Sequence, residues 1–291
     1  MLKDGYTLMH EHLYLDLSSV KNNDDCNYNN VQQVINELKE LYRYGVRNII
    51  EVTNIGMGRN LEVIQQVAKE TDMNILISTG CYKEPFIPDA ILKASTEELA
   101  KIMIQEIEEG IEHTGVKAQV IGEIGTSLNE WSQQERKLFD AAIMAHKKTG
   151  KLITTHTTLG TLGLKQAQYL IQQGVDKHKI VIGHMDLSGD IDTIKEIIKT
   201  GVCVGFDTIG KNNYLPDEQR VAMLMELERC NMLDHVVVSL DITRKSNLKD
   251  AGGIGYAYLF EVFIPMLKKA GFKEESLEKI LKENPKRLFN A

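Results

Sequence analysis

Six side chains that can bind a metal ion stand at the ends of short apolar runs in this sequence. They are four histidines and two acidic residues: His10, His12, Glu123, His156, His184 and Asp241. Imidazole nitrogens and carboxylate oxygens are the ligands that divalent transition metals prefer. Burying such groups together without a cation would cost several kcal/mol for each group. The residue types therefore predict a metal centre.

The number of these groups favours two ions. Six ligands are more than one tetrahedral ion needs, and they suit a pair of ions about 3.5–4 Å apart. A carboxylate between the ions can give one oxygen to each, and we assign that position to Glu123. Zinc is the expected metal because of the histidine content, although manganese, cobalt or iron would also suit these mixed ligands.

The spacing of His10 and His12 indicates how they are presented. Alternate residues of a strand face the same side, so both imidazoles would project into one space while Glu11 points away. A His-x-His pair by itself is also common on surface strands. The argument for a metal therefore depends on all the strand ends together.

Eight apolar runs alternate with longer segments of helical periodicity. The runs are residues 6–12, 47–53, 74–82, 119–123, 152–156, 179–184, 202–207 and 235–241. Helix boundaries are marked as well: Ser132 and Glu135, for example, form a predicted capping box. This alternation predicts the α/β class and a (β/α)8 barrel, with residues 1–291 as a single domain and the active site at the carboxyl ends of the strands. The alternative is an open doubly wound sheet, but no GxGxxG follows the first strand.

The composition excludes several classes of partner. Lys and Arg number 34 against 41 Asp and Glu, which gives a net charge of −7 and argues against nucleic acid or an anionic membrane as a partner. No apolar run approaches the roughly 20 residues of a membrane span. The four cysteines are scattered and form no CxxC pair. These features predict a cytoplasmic globular protein.

Motifs along most of the chain resemble those of the phosphotriesterase family of the amidohydrolase superfamily, and most closely its bacterial homology-protein branch. They are MHEHLYLDLS, GEIGTS, ITTHTTLGTLGL, GHMDL, FDTIGKNNYLPDEQR, SLDITR and the closing ENPKRLF. The resemblance implies that His10, His12 and Asp241 hold the first metal ion. It implies that His156 and His184 hold the second. Glu123 occupies the place where phosphotriesterase itself has a carbamylated lysine, as in the homology-protein branch.

The resulting functional hypothesis is metal-assisted hydrolysis of a phosphoester, or of a carboxylester or lactone. A water molecule that bridges two ions loses a proton near neutral pH, and Asp241 would accept that proton as general base. Lys211, Tyr214 and Arg244 are candidates for binding an anionic group of the substrate. Asp186 could relay the proton outward or cap a helix.

The resemblance adds expectations about substrate and assembly. Tyr82 matches a pocket tyrosine of the lactonase branch, whereas Thr208 replaces the arginine that this branch carries after strand 7. The resemblance also implies a homodimer, because members of the family commonly pair.

Three other functions stay open. The first is a lactonase that acts on a sugar lactone, with or without a phosphate group. The second is a barrel enzyme that uses its metals for non-hydrolytic chemistry such as sugar isomerisation. The third is a metal-binding protein without catalysis, which would leave Asp241 poorly explained.

Overall fold

The computed structural model describes residues 1–290. Eight parallel strands pair in sequence order around a barrel: β1 (Tyr6–Glu11), β2 (Val46–Glu51), β3 (Asn74–Thr79), β4 (Val120–Thr126), β5 (Leu152–Thr157), β6 (Ile180–Ile182), β7 (Cys203–Phe206) and β8 (Val236–Val238). The predicted α/β class and (β/α)8 architecture are therefore confirmed. A two-stranded ribbon, Leu15–Asp16 with Asn27–Tyr28, lies in the long loop after β1.

One principal helix follows each strand and covers the outside of the barrel: α1 (Val31–Arg43), α2 (Leu61–Thr71), α3 (Thr96–Glu108), α4 (Gln133–Thr149), α5 (Gly163–Gln172), α6 (Ile191–Lys199), α7 (Asp217–Arg229) and α8 (Ile264–Ala270). Shorter helices span Ser18–Lys21, Asp89–Lys93, Glu274–Glu278 and Asn284–Asn290. No helix within residues 1–290 combines the length and the apolar character that crossing a bilayer requires.

Local sequence explains where α4 begins and ends. The Ser132 hydroxyl accepts a hydrogen bond from the Glu135 amide at 3.1 Å, and the Glu135 carboxylate accepts one from the Ser132 amide at 3.1 Å. The predicted capping box is thus formed. α4 ends at Thr149, and Gly150 after it has a φ of 67°, a left-handed conformation that glycine adopts without steric cost.

The apolar side chains of the strands divide into two cores. One lies between the strands and the surrounding helices. The other fills the barrel interior below the site, with Met9, Ile50, Val120 and Val237 among its members. Leu288, from the final helix, packs against this inner core. The barrel is therefore filled from below, and the metal-ligand candidates lie above this filling, at the carboxyl ends of the strands.

A buried carboxylate joins the first strand to the last. Glu11 accepts hydrogen bonds from the Ser239 hydroxyl and the Leu240 amide, both at 2.7 Å, and from the Ile242 amide at 3.1 Å. Burial raises the pKa of Glu11 to about 7, although these hydrogen bonds oppose the rise. Glu11, the residue between His10 and His12, thus fixes the loop that carries Asp241.

Several predicted strands are shorter than expected, among them the two that lead to His184 and Asp241. The runs at 179–184 and 235–241 stop being extended at Ile182 and Val238. His184 and Asp241 have φ values of 57° and 55°, and this left-handed conformation cannot continue a strand. Both side chains therefore project from the first turn of a loop.

Candidate metal centre and substrate cavity

The barrel brings all six predicted metal-binding residues into one buried cluster. The possible ligand atoms form two groups, and the atoms within each group lie no more than 4.8 Å apart. One group comes from His10, His12 and Asp241, and the other comes from His10, Glu123 and His184. The first group contains the three residues assigned to the first ion from the family resemblance. His156 lies outside both groups, although its Nδ1 is 3.2 Å from Oε2 of Glu123.

A hydroxyl and two carboxylates fix the orientation of His12. Its Nδ1 lies 2.8 Å from Oγ1 of Thr53. Its Nε2 faces the cluster, 3.2 Å from Oδ1 of Asp241 and 3.5 Å from Oε1 of Glu123. This is how metal-binding histidines are commonly held, with one ring nitrogen bonded outside the site and the other directed into it.

Asp207 performs the same task for His184. Its Oδ1 lies 2.8 Å from both the amide nitrogen and Nδ1 of His184. Its Oδ2 lies 3.6 Å from Nδ1 of His10. Sequence reasoning did not assign Asp207 a role, although its place as the final residue of the seventh predicted strand is the same signal that identified the other residues.

His156 faces the cluster with its Nδ1, whereas His12 does so with its Nε2. Its ring lies 4.6 Å from that of His184, and its Nε2 is 3.2 Å from Oγ1 of Thr158. The Tyr82 hydroxyl is 3.3 Å from each nitrogen of the His156 ring. Burial and the charge of His184 lower the pKa of His156 to about 4, which keeps the imidazole neutral and able to bind a metal ion.

Histidines and carboxylates in the cluster shift each other's pKa values. Burial opposes a charged imidazole at His12, but the carboxylates of Asp241 and Glu123 outweigh it and raise the pKa of His12 to about 10. Burial likewise opposes the carboxylate of Glu123, yet His10 and its neighbours hold the pKa of Glu123 well below its ordinary value. The carboxylates of the cluster thus favour a positively charged group beside them, as a bound cation would be.

Several buried polar atoms at the centre lack a hydrogen-bond partner. Among residues 1–290 they include both ring nitrogens of His10 and Oε2 of Glu123. Buried polar atoms are nearly always paired in proteins, and unpaired ones of this type suit a bound cation. The donor set, imidazole nitrogen and carboxylate oxygen converging on one point, fits divalent metal.

A cavity of about 660 Å³ opens above the cluster. All four residues that we predicted to bind substrate line it: Tyr82, Lys211, Tyr214 and Arg244. Lys211 donates a hydrogen bond to Asp241, and Tyr214 has half of its surface exposed. Two cations that the sequence analysis did not identify, Lys21 and Lys83, also line the cavity.

Neither role suggested for Asp186 matches its surroundings. Its Oδ2 accepts a hydrogen bond from Nε of Arg220 at 2.6 Å and another from the Thr208 hydroxyl at 2.5 Å. Arg220 is fully buried and also donates to Asp217 at 3.0 Å. Asp186 therefore belongs to a buried ion-pair network that ties the loop after β6 to the loop after β7.

Comparison with known proteins identifies the family to which this chain is similar. The phosphotriesterase family model matches residues 2–289. A phosphotriesterase homology protein from Escherichia coli is 46% identical over 98% of both chains. Its crystal structure, complexed with phosphate in the active site, superposes with a TM-score of 0.96 and covers 98% of this chain and 99% of that one.

Two further relatives have named activities. An aryldialkylphosphatase from Saccharolobus solfataricus is 33% identical over 98% of this chain and 95% of its own. A phospho-furanose lactonase from Mycoplasmopsis synoviae is 30% identical over 99% of this chain and 88% of its own. The family's enzymes are metal-dependent hydrolases. With a family model matched from end to end and a relative at 46% identity, this chain belongs to the phosphotriesterase family.

Proposed function

We propose that this protein is a hydrolase that binds two divalent ions, zinc being the best match to four histidines, and cleaves an ester bond in a small anionic molecule. The observation that carries the proposal is the convergence of six ligand-type side chains around buried atoms that have no hydrogen-bond partner. Three strands (β1, β4 and β5), the residue that follows β1, and the turns after β6 and β8 contribute to this cluster. A purely structural role would not require them to meet at the mouth of the cavity.

The ligand assignment follows the two groups in the cluster. His10, His12 and Asp241 would hold the first ion, and His156 and His184 the second. Glu123 would contact both ions, because Oε1 faces His12 at 3.5 Å while Oε2 faces His156 at 3.2 Å. A glutamate is a permanent carboxylate, so this arrangement needs no carbamylation.

The residues around the ions suit ester hydrolysis. Ions held there would supply Lewis acidity and make a water molecule more acidic. Asp241 is held ionised by the cations around it and lies at the cavity floor, where its carboxylate can accept a proton. The Tyr82 hydroxyl lies on the same floor next to His156 and can donate a hydrogen bond to the substrate.

The cavity wall formed by the loops after β7 and β8 supports an anionic substrate. Lys211 and Arg244 stand there together with the phenol of Tyr214. A guanidinium and an ammonium group are well suited to phosphate or carboxylate. The E. coli relative, crystallised with phosphate in its active site, supports a phosphorylated substrate here as well.

A second candidate is a lactonase that acts on a phosphorylated sugar lactone. Two observations favour it: the cationic wall of the cavity, and the similarity of the chain to a relative named phospho-furanose lactonase. A lactone is an internal ester, so the same cluster and the same proton acceptor would serve. A phosphoester would be attacked at phosphorus, whereas a lactone would be attacked at its carbonyl carbon.

Metal analysis combined with a substrate screen tests the proposal. Protein reconstituted with zinc should contain about two ions per chain, as a dinuclear centre requires. It should then hydrolyse at least one of four probe classes: phosphotriesters, phosphodiesters, carboxylesters and phosphorylated lactones. Two bound ions with no turnover in any class would contradict the proposal and would favour non-hydrolytic chemistry.

A further inference from the structure

A second pair of cations lines the cavity on the side away from Lys211. Lys83 lies in the loop after β3, and Lys21 ends the short helix Ser18–Lys21 after β1. Both ammonium groups lie 5.8 Å from the centre of the Phe86 ring, so they flank the same side chain. Because β3 and β7 are four strands apart in a ring of eight, Lys83 and Lys211 come from opposite sides of the barrel mouth.

The two sides differ in how their cations are neutralised. Lys211 donates a hydrogen bond to Asp241. In the loop after β8, the guanidinium of Arg244 lies 3.8 Å from the carboxylate of Asp25. Within residues 1–290, by contrast, no carboxylate oxygen lies within 4.0 Å of the ammonium of Lys21 or Lys83. The β3 side thus offers positive charge that the protein itself leaves unpaired.

The environment of Lys83 favours binding of an anion. Its aliphatic stem lies against Gly125, where an added Cβ would come within 3.2 Å of the Lys83 Cδ. Its ammonium donates one hydrogen bond, to the carbonyl of Glu84 at 2.8 Å, which leaves further N–H groups free. Burial lowers the pKa of Lys83, although the carboxylates of Glu135 and Glu123 oppose the fall. An anion would restore the solvation that this ammonium has lost.

We infer that Lys83 and Lys21 form a second anion-binding subsite, and that the substrate is a small ester or lactone with an acidic group at each end. One acidic group would bind on the side of Lys211 and the other beside Lys83, with the ester bond over Glu123 between them. Hydrolysis would add water across that bond: the attacked carbon or phosphorus gains the hydroxyl and the leaving oxygen gains the proton, giving two products from an ester and one ring-opened product from a lactone. The inference rests on the proposed hydrolytic function and specifies its substrate class.

Binding of charged probes to the zinc-reconstituted full-length protein tests this subsite. The probes are alkane bisphosphonates with two to six carbons between their phosphonates, each compared by calorimetry with the alkyl monophosphonate of equal carbon count. The best bisphosphonate should bind at least about tenfold more tightly than its partner, as one extra charge-assisted hydrogen bond predicts. Lys83→Met should abolish this advantage while changing monophosphonate affinity less than about twofold.

Two matched variants separate charge from packing. Lys83→Arg keeps the charge and should preserve the bisphosphonate advantage. Lys148→Met removes an exposed lysine from the last turn of α4 and should leave all affinities unchanged. Thermal unfolding of Lys83→Met should match that of the parent protein, because methionine preserves the aliphatic stem.

The outcomes distinguish this inference from the proposed function. Equal binding of the two probe types, or an advantage that survives in Lys83→Met, would overturn the subsite. Hydrolysis of singly charged esters without any bisphosphonate advantage would overturn the subsite and support the proposed function. A Lys83-dependent advantage in a protein that hydrolyses no ester would support the subsite and contradict hydrolysis.

Discussion

The ammonium of Lys211 donates a hydrogen bond to the carboxylate of Asp241, and this joins the loop after β7 to the loop after β8. Both side chains are only 11% exposed. Burial favours a neutral Asp241, but the charges of Lys211 and the nearby imidazoles outweigh it and hold the pKa of Asp241 well below its usual range. An anionic substrate would compete with Asp241 for the same ammonium, which links substrate binding to the basicity of the proton acceptor.

Replacing Lys211 by methionine should therefore affect charged substrates selectively. We expect KM for a phosphorylated ester to rise about 10- to 100-fold, because a charge-assisted hydrogen bond contributes about 1.5–3 kcal/mol. Steady-state kinetics with an uncharged aryl ester provide the control, and its KM should change less than about threefold. An equal loss on both esters would mean that Lys211 acts on the metal cluster rather than on the anion.

Asp241→Asn should stop turnover while preserving most of the bound metal. The amide keeps an oxygen that can bind the ion but no longer accepts a proton, and loss of a general base costs about 10²–10⁴-fold in rate. Metal content by plasma emission and kcat on the same sample separate the two effects. Asp250→Asn, at an exposed position, is the matched control. A rate within about tenfold of the parent would remove Asp241 as the base.

Metal affinity should rise with pH. In the metal-free protein the pKa of His12 is raised to about 10 and that of His184 lies well above its ordinary value, so both imidazoles carry protons at neutral pH. Zinc needs neutral imidazoles and must displace these protons. His156 contributes none, since its pKa is lowered to about 4.

A competing chelator dye measures this dependence between about pH 6 and 9. Each proton released gives about a tenfold gain in affinity per pH unit, and the two histidines account for up to two of these protons. Affinity that stays constant over this range, after correction for the chelator, would mean that the metal-free site is already neutral.

Arg220→Met should destabilise the fold strongly. The change leaves Asp186 and Asp217 buried without their counter-charge, and breaking a buried pair in this way costs about 3–5 kcal/mol. Urea unfolding of the metal-free protein is the measurement. Adding Asp186→Asn should recover part of the loss, since it removes one of the two stranded carboxylates.

An exposed ion pair supplies the control for Arg220. Arg229 contacts Glu226 at 2.7 Å but is 72% exposed, so Arg229→Met should cost less than about 1 kcal/mol. Equal effects of the two arginine substitutions would contradict the importance assigned to the buried network.

Thiol reactivity should be confined to one cysteine. Burial raises the pKa of Cys81 to about 12 and that of Cys203 to about 11, and Cys26 is buried as well. Of the four cysteines, all of which lie within residues 1–290, Cys230 alone is partly exposed. Ellman's reagent at pH 8 should therefore modify one thiol rapidly and the other three only after unfolding. Rapid reaction of a second thiol would indicate local opening of the barrel.

The sequence predicted the barrel and the metal-ligand candidates for one shared reason. Alternation of apolar runs with helical periodicity requires parallel strands, and parallel strands of a closed barrel end on the same side. Polar residues at those ends, such as His10 and Glu123, must then meet. This inference needs only the order of residues along the chain.

Contacts between distant loops were not predictable in this way. Asp207 bonds to His184 and Arg220 to Asp186, and each pair depends on the turn that a loop makes after its strand. His184 and Asp241 themselves lie in left-handed turns that the sequence pattern assigned to strands. Side-chain direction in a loop follows from packing and hydrogen bonds, which have no sequence period.

The amino-acid sequence by itself thus determined the fold class and the residues that could bind metal, because periodicity and residue chemistry are local properties. Only the tertiary structure decided which nitrogen of each histidine faces the cluster and that Lys211 is neutralised while Lys83 is not. Those features arise where side chains from different strands and loops approach one another at the barrel mouth, and such distances are set by the packing of the whole chain.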